Sequence, residues 1–230
     1  MNYLGVAFIW SLLNYSIYKF TKGNKSIHGE CISFLHSTSA TILTYYQYSY
    51  VSGKEYKYPI DNTYNQNLIL FSSFMYFIYD LIIVCWPQKL HMYIGHHLSS
   101  MAIITYFITV NKYSNVLMNV IFLAELPVPL YVIYKYLNKY HKQFNLLNFM
   151  IFLLYSLIFS ITRVIYIGDI LLLYILFSPM NKIFVFIPSC MIYSGSLIWV
   201  YKIIIKIKRK CVNFNYEMDI KGTSILDKKI

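Results

Sequence analysis

The stretch 67–87, "NLILFSSFMYFIYDLIIVCWP", is almost wholly apolar and carries one charged residue, Asp80. A helix that crosses the hydrocarbon of a bilayer needs about 20 mostly apolar residues, which is the length of this stretch. Six further candidate runs occupy 3–18, 31–51, 96–110, 115–134, 146–167 and 183–201. The pattern predicts an all-α fold, a polytopic membrane bundle of about seven transmembrane helices.

The composition agrees with a membrane protein. Of the 230 residues, 58% are hydrophobic and only 13% are charged, and the mean hydropathy is +0.50. A soluble domain has about 25% charged residues, so this chain has too little polar surface to coat a soluble particle. The net charge of +11 does not indicate nucleic-acid binding, because the basic residues lie between apolar runs and in the tail, and no nucleic-acid motif occurs.

The cysteines and histidines do not have the spacing of a metal site. The four cysteines form no CxxC pair and no Cys/His pattern, so neither a disulfide framework nor structural zinc is expected. His96 and His97 are adjacent, and successive residues of a helix point about 100° apart. The two imidazoles therefore cannot face one ion in the same way, and the sequence predicts neither a metal nor a cofactor.

The distribution of lysine and arginine predicts the orientation. With a lumenal N-terminus, 15 basic residues lie on the cytosolic side and four on the lumenal side, as the positive-inside rule requires. The C-terminus is then cytosolic and the number of spans is odd. The apolar run 170–178, "ILLLYILFS", is too short to span and is interpreted as a re-entrant or interfacial piece. We expect an anchor helix and loop at 1–30, the bundle at 31–205 and a disordered basic tail at 206–230.

Ionisable residues within spans are candidates for function, because each costs about 2.5–3.5 kcal/mol at the centre of an inserted helix. With the predicted topology, the third span returns to the cytosolic face and the fourth begins there. The sequence therefore predicts that Asp80, His36 and one histidine of the pair approach within about 8 Å. Arg163 either snorkels to the lumenal interface or pairs with Glu125. The candidates are His36, Asp80, His96, His97, Glu125 and Arg163.

Six short motifs occur in a recognisable order. They are "SFLHS" with His36, "YFIYDLI" with Tyr79 and Asp80, "WP" at 86–87, "GHHLSS" with His96 and His97, "AELPVP" with Glu125, and "ITRVIYI" with Arg163. Because it has these motifs in this order, the chain resembles the TLC domain over roughly residues 30–205. It is most similar to the small TLC-domain-containing proteins. The resemblance implies a helical bundle around a central, cytosol-facing lipid cavity, in a membrane of the endoplasmic reticulum or another secretory membrane.

The resemblance also implies two functions. The first is binding of a membrane lipid or acyl chain, with an influence on lipid homeostasis and His36, Tyr79, Glu125 and Arg163 as polar residues of the cavity. The alternative is an N-acyltransferase of the ceramide-synthase type that takes acyl-CoA as substrate and acts on a sphingolipid precursor.

In that alternative, His96 or His97 is the base or nucleophile and Asp80 orients it. The aspartates that follow the histidine pair in ceramide synthases are absent here, and Glu125 is the only acid in 115–130. A channel or transporter is a weaker alternative, because no inverted repeat is visible.

Overall fold

The computed structural model describes residues 3–51, 61–140, 146–170 and 182–226. Within these ranges the chain forms helices and no β-strand, so the all-α prediction is confirmed. Two π-helical turns, π1 (Asp80–Cys85) and π2 (Ile161–Tyr166), directly continue α3 and α7. The α-helices are α1 (Tyr3–Phe20), α2 (Lys25–Val51), α3 (Tyr64–Tyr79), α4 (His91–Val110), α5 (Ser114–Glu125), α6 (Val128–Tyr140), α7 (Leu146–Ser160) and α8 (Lys182–Leu226).

Four helical stretches in the described part of the chain are long and apolar enough to cross a membrane, judged by length and composition. They are Tyr64–Cys85, Ser114–Lys139, Leu146–Ile170 and Val185–Lys210. Helices α1, α2 and α4 correspond to the other three predicted runs and pack into the same bundle. The chain is therefore an integral membrane protein with a helical bundle.

Helices α2 and α4 begin five or six residues earlier than the sequence predicts. Helix α2 begins at Lys25 instead of residue 31, because its polar first turns are stabilised by tertiary contacts. There His28 is buried, and Glu30 forms an ion pair of 3.0 Å with Lys135 of α6. Helix α4 likewise begins at His91. His36 consequently lies eleven residues into α2 rather than five.

Two further helix boundaries differ from the prediction. The span predicted at 115–134 is divided into α5 and α6 at Leu126 and Pro127, where Pro127 and Pro129 cannot continue a regular helix. The tail predicted to be disordered from residue 206 is instead helical through Leu226, as the continuation of α8. The short run 170–178 lies outside the described residues except for Ile170.

The apolar core has two parts. The larger cluster joins α1 to α5 around Ile32, Leu70 and Met118. The smaller cluster joins α6, α7 and α8 around Tyr134 and Phe152. Side chains from both clusters contribute to the wall of one cavity, which places that cavity between the two halves of the bundle.

Candidate functional site

A cavity of about 820 Å³ is lined by residues from α2 to α8 and both π-turns. Its wall is mainly aromatic and aliphatic. Three exposed lysines also line it, and all of them belong to segments that the charge pattern assigns to the cytosol. We call these residues the basic mouth: Lys135, Lys202 and Lys206. Five residues singled out by the sequence also line the cavity: Asp80, His96, His97, Glu125 and Arg163.

The closest polar contact in the cavity joins π1 to α4. His97 Nε2 lies 2.6 Å from Asp80 Oδ2, and both residues are buried, with 5% and 8% of their surface exposed. The Cys85 thiol donates a hydrogen bond of 3.1 Å to the same carboxylate oxygen. Asp80 therefore accepts from two donors on two elements, and Oδ2, Sγ and Nε2 all lie within 4.8 Å of one another.

The π-turn is what brings Cys85 to Asp80. In an α-helix, residues five apart point about 140° away from each other, since 3.6 residues make one turn. A π-turn instead joins residues five apart by hydrogen bonds, as the Trp86 amide does to the Leu81 carbonyl at 2.9 Å. Asp80 and Cys85 are the first and last residues of π1, so this winding puts both on one face.

The two adjacent histidines have different environments. Whereas His97 binds Asp80, the His96 ring packs edge-on against Trp199 at 5.4 Å between centroids and against Phe77 at 6.4 Å. The Nδ1 atoms of both rings are buried and have no hydrogen-bond partner among the described residues. Only one histidine of the pair therefore has the carboxylate partner that fixes an imidazole for proton transfer.

His36 does not line the cavity, in contrast to the expectation for it. Its ring stacks on Tyr76 at 3.8 Å, with an angle of 10° between the planes. The His97 ring also contacts Tyr76 edge-on, with 6.4 Å between the ring centroids. His36 therefore packs against Tyr76, a residue of the cavity wall, and the carboxylate of Asp80 binds His97.

Tyr79 does not line the cavity either. Its hydroxyl lies 3.0 Å from His28 Nδ1, and His28 Nε2 lies 3.1 Å from the carbonyl oxygen of Asn14. A carbonyl can only accept, so in the neutral ring Nε2 carries the proton and Nδ1 accepts from Tyr79. His28 was not predicted as a site residue, because it lies in the segment interpreted as a loop. This cluster joins α1, α2 and α3.

Arg163 does not snorkel, and its hydrogen bonds go to the backbone, although it lies close enough to Glu125 to interact with it electrostatically. It is only 5% exposed, so it does not snorkel to an interface. Its Nε and Nη2 atoms both donate to the carbonyl oxygen of Ala124, at 3.0 and 2.6 Å. The break after Glu125 deprives the last carbonyls of α5 of partners within the helix, and Arg163 satisfies one of them. No ion pair between Arg163 and Glu125 occurs within 4.0 Å in the described ranges.

The chemistry available in the cavity follows from this arrangement. If the His97 Nε2–H donates to Asp80, the lone pair of the neutral ring is on Nδ1, which can act as a base or nucleophile. The apolar wall suits a hydrocarbon chain, and the basic mouth suits an anionic group. Asp80 Oδ2, Cys85 Sγ and His97 Nε2 could also serve together as ligands of a metal ion.

Comparison with known proteins gives one result. The family model of the TLC domain matches residues 27–205, which is more than half of the chain. No curated protein and no solved structure matches this sequence. The protein therefore belongs to the TLC-domain family.

Proposed function

We propose that this TLC-domain protein binds a lipid acyl chain in its central cavity and takes part in membrane lipid homeostasis. The protein would act in the endoplasmic reticulum or another secretory membrane, with its N-terminus in the lumen and its C-terminus in the cytosol. The observation that carries this proposal is the cavity of about 820 Å³ between the two core clusters. Pockets that enclose most of a small ligand have about 300–1,000 Å³.

The cavity lining combines apolar rings with exposed cations, which suits an amphiphile. Phe77, Phe152 and Phe159 provide an apolar wall against which an acyl chain can pack by van der Waals contact. At the mouth, Lys202 and Lys206 are exposed and can attract a phosphate or carboxylate group. We therefore expect a ligand with a long apolar chain and an anionic head.

Substitution of Val132 by tryptophan tests whether the cavity holds the chain. Val132 lines the cavity, so the indole of Val132→Trp should occupy part of it. We expect binding of a fluorescent fatty acid or acyl-CoA to weaken by at least about tenfold, equivalent to about 1.4 kcal/mol. Fluorescence titration of purified protein in detergent measures the affinity, and native mass spectrometry measures the lipid that copurifies.

Ile133→Trp is the matched control. Ile133 is the next residue of α6, is 39% exposed and does not line the cavity, so the same change there adds an indole to the outer face. This variant should bind like the wild type. Equal affinities for the wild type and both variants would contradict the proposal that the chain lies in this cavity.

Acyl transfer is a second candidate function, and the His97–Asp80 contact of 2.6 Å favours it. A carboxylate that holds one imidazole nitrogen leaves the other in a defined protonation state, which general-base and nucleophilic catalysis both need. Acyl-CoA would be the acyl donor and a sphingoid base the acceptor. His97 would be the reacting residue, whereas the His96 ring contacts aromatic rings and no carboxylate in the described part of the chain.

A further inference from the structure

We propose that Asp80, Cys85 and His97 form a binding site for a divalent metal ion of the zinc class. The ligand atoms are Asp80 Oδ2, Cys85 Sγ and His97 Nε2, which all lie within 4.8 Å of one another. This inference does not depend on lipid binding, although the site lies in the wall of the same cavity.

The donor set selects the class of metal. One carboxylate oxygen, one thiolate sulfur and one imidazole nitrogen are all common ligands of Zn²⁺. Magnesium and calcium require sites made of oxygen ligands, so Cys85 excludes them as the preferred ion. Sulfur and nitrogen ligands together favour zinc or cobalt over manganese.

For the two pairs of ligand atoms that include Asp80 Oδ2, the geometry needs adjustments of less than about 1 Å. Zinc bonds of about 2.0–2.3 Å at tetrahedral angles put pairs of ligand atoms roughly 3.4–3.6 Å apart. In the structure, Oδ2 lies 2.6 Å from Nε2 and 3.1 Å from Sγ. Entry of the ion would therefore separate Asp80 from His97 by about 0.8 Å and Asp80 from Cys85 by about 0.5 Å. Side-chain rotation supplies movements of this size.

Burial and charge also suit an ion. The three residues are 8%, 1% and 5% exposed, in a bundle that crosses apolar hydrocarbon. An ionised carboxylate and a thiolate together carry two negative charges, and a divalent cation neutralises both. Without the ion, Asp80 has only hydrogen-bond donors for compensation. The metal site would thus be electrically neutral in surroundings where net charge is costly.

Three protein ligands leave one tetrahedral position open. Asp80, Cys85 and His97 all line the cavity, so a water molecule or a polar group of a ligand can occupy that position. Such an arrangement is characteristic of catalytic zinc sites, whereas structural sites have four protein ligands. His97 Nδ1 has no hydrogen-bond partner among the described residues. Since metal-bound histidines usually have one, we expect lower affinity than in a closed structural site.

Metal binding must displace protons. The Cys85 thiol loses its proton to water in the cavity, and the sulfur electron pair forms the bond to the metal. The proton on Nε2 of a neutral His97 moves to Nδ1, so that the Nε2 lone pair can bind. Asp80 contributes a lone pair and loses no proton when it is already ionised. The metal and the His97–Asp80 hydrogen bond therefore use the same two atoms and exclude each other.

Cobalt is the probe that tests this site. Full-length protein is purified in detergent, stripped with a chelator and titrated with Co²⁺. We expect one Co²⁺ per chain, with a thiolate-to-cobalt charge-transfer band in the near ultraviolet. Addition of one equivalent of Zn²⁺ should abolish the band, because zinc binds such ligands more tightly than cobalt does. Absence of the charge-transfer band from the wild type would overturn the proposal.

Removal of Cys85 alone, and removal of the other cysteines with Cys85 retained, together assign the band to Cys85. Cys85→Ser should bind Co²⁺ at least about 10- to 100-fold more weakly and without the band, since removal of an outer partner alone costs that much. Cys190→Ser, on the exposed surface of α8, should match the wild type. A variant with Cys31, Cys190 and Cys211 all changed to serine retains only Cys85 and should keep the band. Loss of the band from that folded variant would assign the metal to another cysteine and refute the site.

Discussion

His97→Leu is expected to lower the free energy of unfolding by about 1.5–3 kcal/mol, the usual contribution of a hydrogen bond to a charged group. Asp80 would lose the contact of 2.6 Å and retain only the thiol of Cys85, which is a weak donor. The carboxylate would then lie in an apolar bundle without adequate compensation. Reversible unfolding of metal-free protein in detergent–lipid bicelles measures the change.

His96→Leu is the matched control, because it removes the neighbouring imidazole from the same helix. His96 contacts Trp199 and Phe77 by ring packing, and its Nδ1 has no hydrogen-bond partner among the described residues. Leucine keeps the apolar contact, so the change should stay within about 1 kcal/mol. The double variant Asp80→Leu/His97→Leu should recover much of the stability, since no buried carboxylate is then left without its donor. Equal costs for His96→Leu and His97→Leu would contradict the pair as a stabilising interaction.

Hydropathy was sufficient to predict the helical membrane bundle, but not where its helices begin. The polar start of α2 is helical because His28 contacts Tyr79 and Glu30 pairs with Lys135. These partners are 51 and 105 residues away along the chain, so no local propensity predicts them. The π-turns were also beyond prediction, because a uniformly apolar run has no periodicity that distinguishes π from α winding.

The sequence predicted most of the residues that line the candidate site, but it did not predict which of them contact each other. The cost of ionisable groups in a span identified Asp80, Glu125 and Arg163, and all three line the cavity. The partners depended on tertiary structure. The stacked ring of Tyr76 lies next to both His36 and His97. Arg163 binds a backbone carbonyl, which is a partner that side-chain chemistry in the sequence does not reveal.

Asp80→Asn is expected to reduce acyl transfer by about 10²- to 10⁴-fold, the usual contribution of an oriented acid–base residue. A carboxylate can only accept a hydrogen bond, so it keeps the His97 ring proton on Nε2 and the lone pair on Nδ1. An asparagine amide can also donate, which allows the opposite tautomer and puts the reactive lone pair on the wrong nitrogen. The assay combines purified protein, labelled acyl-CoA and a sphingoid base, and it measures the initial rate of amide formation.

Further protein variants in the same assay test which residues take part in acyl transfer. His97→Ala should abolish the product, whereas His96→Ala should retain at least about a tenth of the rate, because the His96 ring packs against aromatic rings instead of a carboxylate in the described ranges. Tyr79→Phe removes a partly buried hydroxyl of a residue that does not line the cavity, and it should transfer acyl groups like the wild type. If Asp80→Asn forms the amide as fast as the wild type, the His97–Asp80 pair is not the catalytic group. A wild type that copurifies with lipid but forms no product from any acyl-chain length would exclude transfer and leave lipid binding as the function of the cavity.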